Sequence, residues 1–299
     1  MRWLQSASIG STMRKRNDIA WDMIKPAYKR GMTDQHISGL ACAFMTHPFQ
    51  VCEGNIFDAL GSYLDSLGLD SGLLVPFLRD LSELTPVGLN TSPNACCGRW
   101  ELFYRLVRPS SSQPAKGDIR DGQVTIELKG SQVRLSDPST TGVEYRKKNH
   151  SIYSVSPFSG NKTTAKDLKD VPVFEIEKTQ HRHHYQAQWE KDPHEARNCM
   201  RRYFQEYGFD SGLGDGELDC LVARIIGTGG EYNLDVLQRR QMECFFLRYK
   251  NEQSFDTLIL FGDGSNVKFI KDASDLSKLS IQTDYFRIAQ KANIGWYVE

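Results

Sequence analysis

KGDIRDGQVTIELKG, residues 116–130, is the stretch on which the reading of the chain turns. Asp121-Gly122 is the dipeptide most typical of a tight hairpin, and the residues on both sides of it alternate in character. With Asp121-Gly122 as a two-residue loop, Arg120 faces Gln123, Ile119 faces Val124 and Asp118 faces Thr125. Side chains on a strand point to opposite faces in turn. Asp118, Thr125, Glu127 and Lys129 therefore share one face, and Ile119, Val124, Ile126 and Leu128 the other. Charge is sorted from hydrocarbon, and Asp118 and Glu127 become diagonal neighbours within reach of one cation. A longer loop would send Asp118 to the opposite face.

Two carboxylates together repel unless positive charge stands between them, and hard oxygen donors with an open coordination sphere suit Mg²⁺ or Mn²⁺. Such an ion stabilises phosphate charge and acidifies a bound water. Lys129 is then placed to orient that water or to stabilise charge developing on the phosphate. The plainer alternative is an exposed strand face with cross-strand charge pairs that contribute little.

Around the hairpin the period of the sequence changes. Before it, ISGLACAFM, NIFDALGSYLDSLG and GLLVPFLRDLSEL repeat apolar residues every three or four positions, which predicts a helical subdomain or arm. TPVGLNTSPN interrupts that pattern before CGRWELFYRLV resumes it as a short helix carrying Glu101. After the hairpin, the polar region from about residue 136 to 170 reads as loops. VPVFEIEK then reads as a strand, and PHEARNCMRRYFQEYG, GELDCLVARIIG and LDVLQRRQMECFFLRYK as helices. FDTLILFG reads as a buried strand with NVKFIK beside it across GDGS, and IGWYVE as a further strand.

Asp118 followed by Glu127-Leu128-Lys129 resembles the PD-(D/E)xK nuclease superfamily, the restriction-endonuclease-like fold. In that superfamily an acidic residue begins a hairpin strand, the next strand supplies Glu-x-Lys, and many members add a glutamate from the preceding helix. RWELFYRLV offers Glu101 in that order. The likeness is closest to phage-type and junction-resolving endonucleases and covers Glu101 through the hairpin. Where the family has its proline, this chain has Gly117.

The resemblance implies an α/β fold with a restriction-endonuclease-like αβββαβ core over residues 91–299, a helical N-terminal region over residues 1–90, and an insertion at about residues 131–232. It implies a Mg²⁺-dependent (or Mn²⁺-dependent) endonuclease acting on DNA, with Glu101, Asp118 and Glu127 holding metal and Lys129 assisting a metal-activated water. Products with a 5′-phosphate and a 3′-hydroxyl go with that chemistry. The alternative is a catalytically inactive nuclease-fold DNA-binding or phage assembly protein, and a third reading is an unrelated α/β enzyme with a charged hairpin face.

Beyond the hairpin, Arg134 and the run Arg146, Lys147 and Lys148 are candidate phosphate contacts. The HRHH cluster at residues 181–184, with His183, is a candidate DNA contact and lacks the second ligand pair that a zinc site needs. GFDSGLGDGE and GTGGEY lack the Lys-Ser/Thr of a phosphate-cradling loop.

Composition sets the remaining bounds. The 299 residues suffice for a core without staples, and 39% hydrophobic with 25% charged residues is ordinary globular composition. A formal net charge of +0 removes the simple electrostatic argument for nucleic-acid binding and leaves only a local basic groove. Seven cysteines without Cys-x-x-Cys spacing suit a reducing cytoplasm, the host's if the chain is phage-encoded. No apolar segment predicts a signal or a membrane span. A homodimer would suit two-strand cutting.

Overall fold

Asn55 turns the chain from a two-residue strand into a helix, its side chain accepting the N–H groups of Phe57 (3.0 Å) and Asp58 (3.3 Å). Such a cap contributes about 1 kcal/mol by satisfying donors that the first helical turn leaves over. In the computed structural model, which describes residues 16–83, 99–131, 133–141, 185–262, 265–288 and 293–298, this local logic recurs along the chain. The N-terminal helices are α1 (Arg16–Lys29), α2 (Asp34–Thr46), α3 (Ile56–Ser66), α4 (Ser71–Glu83) and α5 (Arg99–Val107). Leu60 and Leu64 of α3, and Leu74, Leu78 and Leu81 of α4, each set at three- or four-residue spacing on its helix, are buried.

The fold is mixed α/β. A five-stranded sheet has the order β1 (Gly54–Asn55), β6 (Asn266–Ile270), β5 (Thr257–Phe261), β3 (Val124–Lys129), β2 (Ile119–Asp121). β3 and β5 run parallel, with Glu127 beside Leu258 and Lys129 beside Leu260, and the other neighbours are antiparallel. β5 is buried at all five positions, as a central strand covered on both faces requires. Beyond β2, Ser112 forms an isolated antiparallel bridge with Arg120, the two residues exchanging N–H···O bonds of 2.8 Å.

The chain divides into two compact units, Met1–Ser131 with Gln253–Lys271, and Gln132–Glu252 with Asp272–Glu299. In the first, Phe44, Phe57, Leu60 and Phe77 of the helices share one core with Phe103, Ile119, Ile126, Leu128 and Ile259. The described helices of the N-terminal region belong to the unit that carries the hairpin, and their apolar faces pack in one core with the sheet.

The second unit contains α6 (Pro193–Tyr207), α7 (Asp215–Ile225), most of α8 (Leu234–Gln253), a 3₁₀ turn (Ala273–Lys278) and an antiparallel sheet of order β4 (Val133–Thr141), β8 (Asn293–Val298), β7 (Ile281–Ile288). Tyr203, Phe204, Phe209, Phe245 and Phe246 are fully buried there. Asp192 caps α6 ahead of Pro193, and Gly208 ends it with φ 65°. β4 corrects the reading of residues 136–141 as loop: its polar residues are carried by pairing with β8 rather than by their own apolar alternation. The strand expected at VPVFEIEK lies outside the described residues. Among the described residues, no helix is long and apolar enough to cross a membrane.

Candidate active site

The hairpin turns one residue later than Asp121-Gly122 implied. Asp121 pairs with Val124, Arg120 with Thr125 and Ile119 with Ile126, so the two-residue loop is Gly122-Gln123, with Gly122 at φ 63°. The reason lies outside the turn. Asp121 is taken by α5 and its end: Arg108 binds both its carboxylate oxygens at 2.8 Å, and Tyr104 donates to it at 2.9 Å. Burial pushes Asp121 upward, but the Arg108 and Tyr104 hydrogen bonds outweigh it and hold the carboxyl below its usual range. A shift of the loop by one residue moves both strands together and leaves the side-chain parity unchanged. Ile119, Ile126 and Leu128 accordingly enter the core, while Val124, expected among them, lies at the turn with 42% of its surface exposed.

Asp118 stands where the β2–β3 ladder ends. Its N–H donates to Ile126 (3.0 Å), and its Oδ2 accepts the Leu128 N–H (2.8 Å), in place of a backbone carbonyl. Preceding it, Gly117 has φ +76°, which a proline ring cannot adopt. Thr125 is tied to the start of β5 through Asp256, which accepts its N–H at 2.7 Å and donates to its carbonyl at 2.8 Å. The hairpin is therefore fixed to both α5 and β5.

On this frame Lys129 brings the two acids together. Its Nζ lies 2.5 Å from Glu127 Oε1 and 3.8 Å from Asp118 Oδ2. The Glu127 side chain is only 4% exposed, against 22% for Asp118 and 32% for Lys129. Burial pushes the Asp118 carboxyl above its ordinary range; Lys129 draws it down, Glu127 pushes it up, and the upward direction prevails. Burial is the largest of these causes, and Lys129 offsets only part of it. The oxygen donors of Asp118 and Glu127 fit a hard divalent ion.

Among the described residues, no three His, Cys, Asp or Glu side chains are grouped closely enough to hold an ion; the geometry on the hairpin brings together Asp118, Glu127 and Lys129. α5 is oriented by Trp100, stacked on Phe261 with centroids 4.0 Å apart, and by Tyr104 against Asp121. Glu101 is half-buried and lies about 100° round the helix from Trp100. Arg134 lies on β4, opposite Tyr297 in the register with β8 and in the other unit. Arg146, Lys147, Lys148 and His183 lie outside the described residues.

The residues that sequence reasoning missed are those that brace the hairpin. The Asp-Gly pattern places Asp121 in the turn, and Arg108 and Asp256 sit 13 and 131 residues from their partners with no local pattern to announce them. Comparison with protein-family models, curated proteins and solved structures returns no match to this chain.

Proposed function

We propose that this chain is a divalent-metal-dependent endodeoxyribonuclease with a restriction-endonuclease-like core. The observation that carries the reading is the Lys129 ammonium shared between Asp118 and Glu127 at the end of a strand paired in parallel with β5. The order of elements supports it: a helix bearing Glu101, the Ser112 bridge, β2 with Asp118 before it, β3 with Glu127 and Lys129, helix α8, then β5 parallel to β3. In this reading the order corresponds to the αβββαβ succession, with a single bridge in the place of the first strand. The helices α1 to α4 and the segment between β3 and α8 are additions to it.

In this reading Asp118 and Glu127 hold Mg²⁺ or Mn²⁺, which when bound acidifies a water and neutralises phosphate charge. Lys129 donates to the attacking water or to the phosphate as negative charge builds there. Leu128 N–H fixes the Asp118 carboxylate, and the Arg108–Asp121 pair fixes the strand that carries it. A cytoplasmic setting, the host's if phage-encoded, and a homodimer for two-strand cutting accompany the proposal.

The test is cleavage of supercoiled, linear and branched DNA by the full chain with Mg²⁺, Mn²⁺ or chelator, beside Lys129→Ala and Asp118→Asn. The asparagine keeps an acceptor for Leu128 N–H while removing charge. Metal-dependent cutting lost in both folded variants is the expected result. DNA binding without cutting under every condition would instead make the chain a nuclease-fold binding or assembly protein.

A further inference from the structure

A cleft of about 510 Å³ opens at the carboxyl ends of the parallel strands β3 and β5, lined by Glu83, Arg99, Trp100, Ser131, Gly262 and Ser265 among others. Gly130 and Ser131 follow Lys129 directly, so the cleft begins where the strand carrying Glu127 and Lys129 stops. Gly262 follows β5 in the same way. Crevices outside the carboxyl ends of parallel strands are where α/β sheets commonly take ligands. The cation in this one is Arg99. Its guanidinium lies over the Trp100 ring, 4.6 Å from the centroid, and one terminal nitrogen donates to Glu83 at 2.7 Å. Its Nε is buried and has no hydrogen-bond acceptor among the described residues.

A guanidinium has five N–H donors in a planar fork that matches a phosphate. Among the described residues that fork has one acceptor, a glutamate side chain 62% exposed, and a surface pair of this kind is held weakly. Its place over the Trp100 ring positions the guanidinium before any ligand arrives. Ser131 and Ser265 supply hydroxyls on the same cleft. Ser131 follows Lys129 by two residues, at most roughly 7 Å of chain, the reach from one phosphate to the next on a nucleic-acid strand.

We infer that Arg99, with Ser131 and Ser265, binds the DNA phosphate neighbouring the one attacked at Lys129, and that Glu83 occupies the Arg99 fork until that phosphate displaces it. The inference rests on the nuclease reading and assigns to that site a second, non-reacting phosphate. It gives Arg99 a positioning role: the phosphate it holds sets which bond lies against Lys129.

The experiment measures binding of a short fluorescein-labelled DNA duplex to the full chain by anisotropy, with Ca²⁺ replacing Mg²⁺, over a range of salt concentrations. One lost phosphate contact lowers the slope of log K against log salt by about 0.9. Arg99→Gln is expected to show that drop and about tenfold weaker binding, Arg99→Lys to restore the slope, and Glu83→Gln to tighten binding. Matching thermal unfolding of the variants keeps the comparison among folded proteins. An unchanged slope in Arg99→Gln overturns the subsite and leaves the nuclease reading standing. Equal weakening by Glu83→Gln and Arg99→Gln makes the pair a structural brace and also overturns it. No binding of the duplex by the unmodified chain at low salt removes both.

Discussion

Thr125 occupies the space that a side chain on Gly117 would need. A Cβ built on Gly117 would stand 2.8 Å from Thr125 Cγ2 and 3.5 Å from the Ile126 carbonyl oxygen, on a backbone with φ +76°. The next residue is Asp118, so this contact decides where the first acid of the site begins. Gly117→Ala is expected to cost about 1–2 kcal/mol from the left-handed backbone alone, with the clash added to it. Adding Thr125→Ser removes the Cγ2 and should return the clash portion only. Thermal unfolding of the two variants checks this, and full recovery in the double variant would show that the backbone angle costs nothing.

The Arg108–Asp121 pair gives the fold a pH dependence of known sign. Asp121 has its carboxyl lowered in the folded chain, so its contribution is present above the ordinary value of 3.8 and is lost as pH falls through the lower folded value. Asp121→Asn should cost about 2 kcal/mol at neutral pH, the range for a charge-assisted hydrogen bond, and progressively less toward acid. Denaturant unfolding across that interval tests it. A difference independent of pH would mean that the carboxylate charge is not what holds the hairpin.

Lys129 holds two acids together, so its removal should expose their repulsion. Lys129→Met is expected to lower the melting temperature in chelator and to raise the gain produced by Mn²⁺ above that of the unmodified chain. The same scan on Asp118→Asn should show a smaller gain than the unmodified chain. If Mn²⁺ stabilises all three equally, the ion binds elsewhere.

Trp100 joins α5 to β5 through its stack on Phe261 and meets Phe103 edge-on at 5.8 Å. Trp100→Ala should therefore destabilise the first unit by about 3 kcal/mol or more, the usual cost of a buried aromatic. Trp100→Phe should recover much of it. Chemical unfolding followed by circular dichroism measures both.

The parts of this structure that were legible in the sequence are those whose cause is local. The helical spacing of Leu60 and Leu64, the Pro193 start and Gly208 stop of α6, and the alternation from Val124 to Lys129 each carry their own signal. The meeting of Glu127 and Lys129 with Asp118 followed from strand parity and survived a one-residue error in the turn, because parity does not change when both strands move together. What was not legible depended on distant partners. Asp121 reads as a turn residue until Arg108 claims it, the orientation of α5 depends on the stack of Trp100 on Phe261, and β4 has no apolar alternation of its own.

The parallel partner of β3 is encoded far downstream: the bond from Thr125 N–H to Asp256 closes a loop of 131 positions. Until β5 emerges from the ribosome, β3 is an unpaired edge, and such distant pairings form slowly because the loop must close before any contact rewards it. The strand bearing Glu127 and Lys129 is therefore made early and fastened late. A growing chain holds every ingredient of the charged triad by residue 129 yet has no rigid platform for it until residues 257–261 arrive. The order of synthesis thus separates the acids and lysine from their fixed geometry by all the residues between Lys129 and Thr257.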